Sequence, residues 1–367
     1  MSSKKFIAFV GLFAFLIVGF VGGVNYVVDP GYIYLKKYFS SNADAYSEAL
    51  FSSENGLVAT GWNERVVKAS MAKYAGNFDC AVFGSSHIMQ ISQVRNIGNI
   101  EQVCPKLLNL GVSGGSIEDL FVFSDIALTN QKMPKKIFIG IDPWTFKFNM
   151  DTRYLMHQFQ YNNFLSTLEG KKKERNNYGY ELSLFKNLFN LEYLLTSMKE
   201  IKFTFKTSQI EFPNESYIFE HGYKEPLKLK DGSHLYSSAD IVKFKNVIKT
   251  IKIGGGDYKI SGNMYETQAL VLFEKLIQLF QKDGIEVNFI LTPYHPNVFK
   301  AGVTKPVKHI ETMENLVIEL SNKYKVNLYG SFYPSKVGCH NNEFLDFMHA
   351  SSECLNKINF SRPNFSN

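Results

Sequence analysis

The hydrophobic pattern begins with two lysines, Lys4 and Lys5, followed by Phe6 to Val24 without a charged or strongly polar side chain. A helix of that length rises about 1.5 Å per residue and spans roughly 28 Å, close to the hydrocarbon core of a bilayer. Residues 1–28 are therefore expected to form one membrane-spanning helix. The lysines ahead of it and Asp29 behind it place the N-terminus in the cytoplasm and export everything downstream. A cleaved signal peptide is the rival reading. Its apolar core is usually shorter and ends at an A-x-A-like site, whereas here only VGG at 21–23 would serve, so an uncleaved anchor is the expectation.

Residues 29–61 are aromatic and polar with no clear period and read as a juxtamembrane connector. WNERVVKASMAKYAG (62–76) then reads as an amphipathic helix stopping at Gly76. Short apolar runs follow at 79–83 (DCAVF), 107–110 (LLNL), 137–141 (IFIGI), 285–291 (IEVNFIL) and 326–329 (VNLY). Helical patterns at 117–130, 264–284 and 311–324 separate most of them, the second with Leu270, Phe273, Ile277 and Phe280 on one face. Strands alternating with helices predict an α/β domain with a five-stranded parallel sheet covered on both faces, built from 62–149 and 263–367. Residues 150–262, rich in Asn, Lys, Phe and Tyr, break the rhythm and read as a large insertion or cap. No internal repeat is present.

Composition adds three points. At 367 residues, 45% hydrophobic and 15% aromatic, the chain can fill a sizeable core and is not a disordered protein. Its formal charge of +6 is scattered in runs such as KKKER (171–175) and KEIKFTFK (199–206), which read as solvated faces. Without a basic stripe interleaved with aromatics, no nucleic-acid partner is expected. The four cysteines gain meaning from export, because an oxidising compartment permits two disulfides in three connectivities. The preferred pair is Cys339 with Cys354, closing a short loop worth about 3 kcal/mol in the chain-entropy model; buried free thiols are the alternative. Zinc spacings are lacking, and neither a metal nor an organic cofactor is expected.

Ligands of such sheets bind beyond the carboxyl ends of the strands. There the chain delivers Gly84, Ser85, Ser86 and His87, then GVSGGS (111–116), Asp142 to Trp144, TPYHP (292–296) and LDFMH (345–349). These are the parts of nucleophilic acyl transfer. A serine hydroxyl needs a histidine to accept its proton, and the imidazole needs a carboxylate to fix its tautomer and stabilise the imidazolium. Asp346 and His349, three apart, can be presented by one local turn. Backbone amides beside the nucleophile and in the glycine turn can stabilise an oxyanion, each worth about 3–4 kcal/mol.

FGSSH, NLGVSGG and DFMH, in that order and each after a strand-like run, resemble the first, second and last blocks of the SGNH, or GDSL-like, hydrolase family. The resemblance implies a flavodoxin-like three-layer fold, with Ser86 as nucleophile, His349 as base and Asp346 as its partner. It also implies an oxyanion hole from the amides of Ser86 and Gly114. With the anchor, the chain is most similar to the membrane-anchored SGNH-like proteins of bacterial envelopes. These include proteins that work beside multi-span membrane-bound O-acyltransferases and acylate envelope polymers. The expected function is removal or transfer of an acyl group, most plausibly acetyl, on an envelope or secreted polysaccharide. The expected location is the bacterial cytoplasmic membrane, single-pass, with the main domain periplasmic or extracellular. The matched blocks span 75–145 and 285–358 and leave the insertion uncovered.

One position departs from the family pattern. Its third block offers an asparagine to the oxyanion, where this chain reads GIDPW (140–144), and an ionised Asp142 cannot donate to an anion. Either backbone amides suffice, or Trp144, Asn109 or His295 substitutes, or the protein is a weak or inactive glycan-binding or accessory subunit. His87, Asp142, Trp144 and His295 are candidates for substrate contact. Simpler readings stand beside these: Ser85 or Ser86 as a helix cap, GVSGGS as a plain turn, His349 as a structural histidine, His295 as a turn residue, and His340 as an alternative base. The glycine turn matches neither phosphate-binding pattern, and Ile88 breaks the G-x-S-x-G elbow.

Overall fold

The computed structural model describes residues 2–29, 34, 36–130, 133–171, 185–186, 188–204, 209–212, 226–250, 264–300 and 305–364. Helix α1 (Ser3–Val28) is the one described helix long and apolar enough to cross a membrane, a test that a signal sequence also passes. Its first eighteen residues project free of the rest of the chain, and only from Val21 onward is it partly covered.

Residues 29–61 differ from the element-free connector expected. They hold α2 (Lys36–Ser52) and strand β1 (Leu57–Thr60). Ala43, Tyr46 and Leu50 lie one helical turn apart and are buried, so α2 packs on α3 (Glu64–Ala72) as part of the body. The side chain of Asn63 caps α3 by accepting from the amides of Arg65 and Val66.

Strands β2 (Cys80–Phe83), β3 (Leu107–Asn109) and β4 (Lys136–Gly140) come next, with α4 (Ile117–Thr129) between the last two. Helix α5 (Gln158–Leu168) packs on α4. The insertion contributes α6 (Leu191–Thr204), β5 (Gln209–Glu211), β6 (Leu227–Lys228), β7 (His234–Leu235) and α7 (Ser238–Thr250). The chain closes with α8 (Thr267–Lys282), β8 (Glu286–Leu291), α9 (Lys305–Tyr324) and β9 (Asn327–Gly330). Apart from Lys171, the KKKER run lies outside the described residues, as do 172–184, 205–208, 213–225 and 251–263 within and beside the insertion.

The main sheet has five parallel strands in the order β3-β2-β4-β8-β9. The five runs read as strands form its strands, each shifted by a residue or so. Alternate residues feed two cores. Ala81, Phe83, Ile137, Ile139, Phe289 and Leu291 face the side of α4, α8 and α9, while Cys80, Val82, Phe138, Ile290 and Tyr329 face Ile97, Ile100 and Phe360. In α8 the buried stripe centres on Leu272, Phe273, Leu276, Ile277 and Phe280, leaving Leu270 only partly covered.

A second sheet, β5-β1-β6-β7, is antiparallel. It joins the former connector to the insertion, with Val58 paired to both Glu211 and Leu227. All four cysteines are paired. Cys339–Cys354 is the bridge expected, and Cys80–Cys104 fastens the start of β2 to the segment entering β3.

Candidate active site

At the end of β2 the chain turns at Gly84 into a single 3₁₀ turn, Ser86–Ile88. The two serines divide the roles proposed for them. Ser85 is buried and its hydroxyl accepts the amide of His87, a cap. Ser86 is half-buried, and its Oγ lies 2.8 Å from Nε2 of His349, a residue 263 positions later. On the other side of that ring, Nδ1 of His349 stands 2.8 and 3.0 Å from the two carboxylate oxygens of Asp346. Asp346 Oδ1 also accepts the amides of Met348 and His349, each at 2.7 Å. A hydrogen bond from the backbone amide of Leu345 to the carbonyl of His349 closes the turn, and the bridge between Phe344 and Ala350 brackets it. The Cys339–Cys354 bond encloses this whole loop. Burial raises the Asp346 carboxyl, but hydrogen bonds from His349 and the two amides outweigh it and hold the group below the usual carboxylate range.

The glycine turn after β3 lies directly against the nucleophile turn. Val112 donates its amide to the carbonyl of Gly84, and a Cβ on Gly115 would sit 2.5 Å from that same oxygen, so only glycine permits the approach. Gly114 adopts φ +62°, and a Cβ there would meet Asp151 Oδ2 at 2.8 Å. The turn is held from outside by Arg153, which donates to the carbonyl of Ser113 at 2.7 Å, and by Glu64, which accepts the Ser113 amide at 2.6 Å. Among the described residues the amides of Ser86 and Gly114 donate to no protein acceptor. They belong to two segments that touch at Gly84 and Ser85, and backbone donors from such neighbouring turns can serve an oxyanion.

The four residues considered for substrate contact sit elsewhere. His87, Asp142, Trp144 and His295 are each at most 4% exposed and form the floor beneath the serine and histidine. Nδ1 of His87 lies 2.9 Å from Asp142 Oδ1 and 3.3 Å from Thr292 Oγ1. Its ring packs edge-on against Trp144, Tyr294 and His349, the last at 4.7 Å between centroids. All four are buried, and the Asp142 carboxylate lies beside the His87 ring. Neither Asn109 nor His295 replaces the absent third-block donor. The Asn109 amide is spent on the carbonyls of Ile88 and Ile91, both at 2.9 Å. His295 Nε2 meets the carbonyl of Asn341 at 3.1 Å, while its Nδ1 accepts the amide of Asn297. His340 lies outside this chain of hydrogen bonds; its amide donates to Glu343.

Sequence reasoning missed the contribution of the insertion. The turn between β6 and β7 is stitched onto the segments that follow β2 and form β3: Asn109 donates its backbone amide to the carbonyl of Asp231, and His234 donates its backbone amide to that of Met89, both at 2.7 Å. The carboxylate of Asp231 accepts from Ser92, Gln93 and Val94. Lys68 Nζ, fully buried, reaches the carbonyls of Asn109 and Gly232 at 2.6 and 2.7 Å. Desolvation and the ammonium of Lys228 lower its pKa to about 7, against the pull of Glu64 and Asp231. Two residues beyond His234, Tyr236 stands near enough to Asp346 for that carboxylate, second to burial, to raise its phenol. The only sequence signal was KDGS at 230–233, a turn with no indication of where it docks.

A scan against protein-family models and a search of curated proteins return no match to this chain.

Proposed function

We propose that this is a membrane-anchored member of the SGNH-like hydrolases, an O-acyltransferase or esterase using Ser86, His349 and Asp346. The observation that carries the reading is the unbroken run of hydrogen-bond distances from Ser86 Oγ through the His349 ring to Asp346, assembled from opposite ends of the chain. His349 Nε2 takes the proton as Ser86 Oγ attacks an ester carbonyl, and Asp346 stabilises the resulting imidazolium. The amides of Ser86 and Gly114 receive the oxyanion. Collapse of the tetrahedral intermediate returns the proton to the leaving alkoxide and leaves an acyl group on Ser86. Water or a sugar hydroxyl then resolves it. An acetyl ester of an envelope or secreted polysaccharide is the substrate class that the family resemblance suggests, and a multi-span acyltransferase is the suggested partner.

Helix α1 serves as an uncleaved anchor in this reading, with the body on the far side of the membrane. The seating of Phe189 on Gly22 and the burial of Asn25 against the insertion support its retention, and two disulfides suit an oxidising compartment.

A fluorophosphonate probe tests the chemistry. The wild-type chain is expected to be labelled at Ser86, and both Ser86→Ala and His349→Ala to escape labelling while keeping the wild-type melting temperature. A folded wild-type protein that resists the probe would favour the second reading, a non-catalytic accessory subunit, for which the pairing of Asp142 with His87 in place of an asparagine donor is the supporting observation.

A further inference from the structure

Six apolar side chains of the insertion stand exposed beside the end of α1: Phe185, Phe189, Leu191, Leu195, Met198 and Ile201, at 38–65% exposure. Leu191, Leu195 and Met198 recur at helical spacing along α6 and form one ridge, with Ile201 on its flank. The opposite side of α6, at Tyr193 and Ser197, is buried and bonded to α1. Tyr193 donates its hydroxyl to Asp29 Oδ1 at 2.8 Å, and Ser197 donates to Asn25 Oδ1 at 3.0 Å. Asn25 in turn donates to the carbonyls of Leu188 and Asn190. A Cβ on Gly22 would come within 2.9 Å of the Phe189 ring, so that ring lies directly on the backbone of α1.

These contacts fix direction and depth. A step of four residues forward on α6, from Tyr193 to Ser197, accompanies a step of four back on α1, from Asp29 to Asn25. The helices therefore run antiparallel, and the same step continued brings Ile201 level with Val21. Val21 belongs to the uncharged run Phe6–Val24, where Phe20 on α1 is also exposed. The ridge of α6 thus descends along the anchor into the level at which α1 itself would meet lipid. The sequence of the same helix mixes these apolar residues with Glu and Lys, a composition that suits the headgroup boundary better than the acyl core.

We propose that α6, with Phe185 and Phe189, is a second membrane contact, bedded in the leaflet at the exit end of α1 and covered by lipid. The proposal rests on the reading of α1 as an uncleaved anchor. It makes the insertion a device that sets the attitude of the body over the bilayer, in place of a tether on which the body swings.

Depth-dependent fluorescence quenching of the full chain in phosphatidylcholine–phosphatidylglycerol vesicles tests it. An environment-sensitive dye is attached at Met198→Cys, at Phe15→Cys in the middle of α1, and at Val271→Cys on the exposed side of α8. The Met198 dye is expected to lose most of its emission to lipids carrying a nitroxide near the headgroup and to resist aqueous iodide. The Phe15 dye should respond to a nitroxide deep in the acyl chain, and the Val271 dye to iodide alone. If the Met198 dye responds to iodide alone, or to neither quencher because protein covers it, while the Phe15 dye responds to lipid, the proposal is overturned and the anchor survives. If neither the Met198 nor the Phe15 dye responds to lipid, both fall. Quenching of Met198 by lipid without quenching of Phe15 would overturn the anchor and, with it, the proposed placement of α6 beside a spanning α1.

Discussion

Asp346 is bound by its own loop before it does anything for His349. Two backbone amides and the imidazole share its oxygens, so an isosteric amide would offer a donor where the ring nitrogen also donates and would reverse the tautomer of His349. Asp346→Asn is expected to lower kcat by about 10³–10⁴-fold with little change in KM, measured on an acetyl ester. A different carboxyl, away from this chemistry, governs stability. Glu118 is fully buried, and desolvation lifts its pKa to about 7 despite the amide of Asn149, which donates to it at 2.6 Å. The folded chain then keeps a proton that the unfolded chain gives up near pH 4.5, so stability falls as pH rises from there to about 7 and is level above. Denaturant titrations should show Glu118→Gln gaining on the wild type across that window, by about 2–3 kcal/mol at pH 8. Ser86, Asp346 and His349 were legible because a serine after a buried strand and a three-residue Asp–His spacing are local signs. The engagement of His87 with Asp142 was not, because it depends on β2 and β4 being neighbours, a fact of topology.

At the scale of elements, the five strands of the main sheet announced themselves as uninterrupted apolar runs, since a parallel sheet covered on both faces leaves no polar alternation to confuse them. Helix α2 escaped notice because its buried stripe is Ala43, Tyr46 and Leu50: one residue is small, one is aromatic with a polar end, and the positions between them are largely polar. Strands of two or three residues such as β5, β6 and β7 are too short to show a period, and only pairing across the chain defines them. The loop carrying Asp346 and His349 depends on a covalent closure. Replacing Cys339 and Cys354 by serine is expected to cost about 3 kcal/mol of stability in a denaturant titration. It should also weaken fluorophosphonate labelling of Ser86, because the loop that presents His349 loses its closure at both ends. Labelling at wild-type rate in that variant would show the hydrogen bonds of the loop to be sufficient.

For the molecule as a whole, the joint between α1 and the body is a cluster of polar side chains at the end of an apolar helix. Asn25 is fully buried and serves two carbonyls and one hydroxyl. Asn25→Leu removes the donor to the carbonyl of Leu188, while Asn190 keeps the amide of Leu194 and Ser197 keeps the carbonyl of Tyr193, at about 1–3 kcal/mol. Hydrogen exchange should report the change as tenfold or greater acceleration at amides of residues 188–197, with protection of the main sheet untouched. The sequence announced α1 through its length and uniform hydrophobicity, but gave no sign that the insertion returns to it, because the apolar positions of α6 look like an ordinary buried stripe until the body is seen to leave them bare.

The small antiparallel sheet carries a consequence for biosynthesis. Strand β1 emerges from the ribosome soon after the anchor, yet both of its neighbours, at Glu211 and Leu227, lie more than 150 residues downstream. At ordinary elongation rates the strand waits on the order of ten seconds or more with bare edges. Closure of that sheet, and of the turn it pins beside Ser86, is thus a late event. The Ser86 hydroxyl and the His349 imidazole meet only after nearly the entire polypeptide has been made, so a chain stalled or clipped before its final segment lacks the assembled cluster.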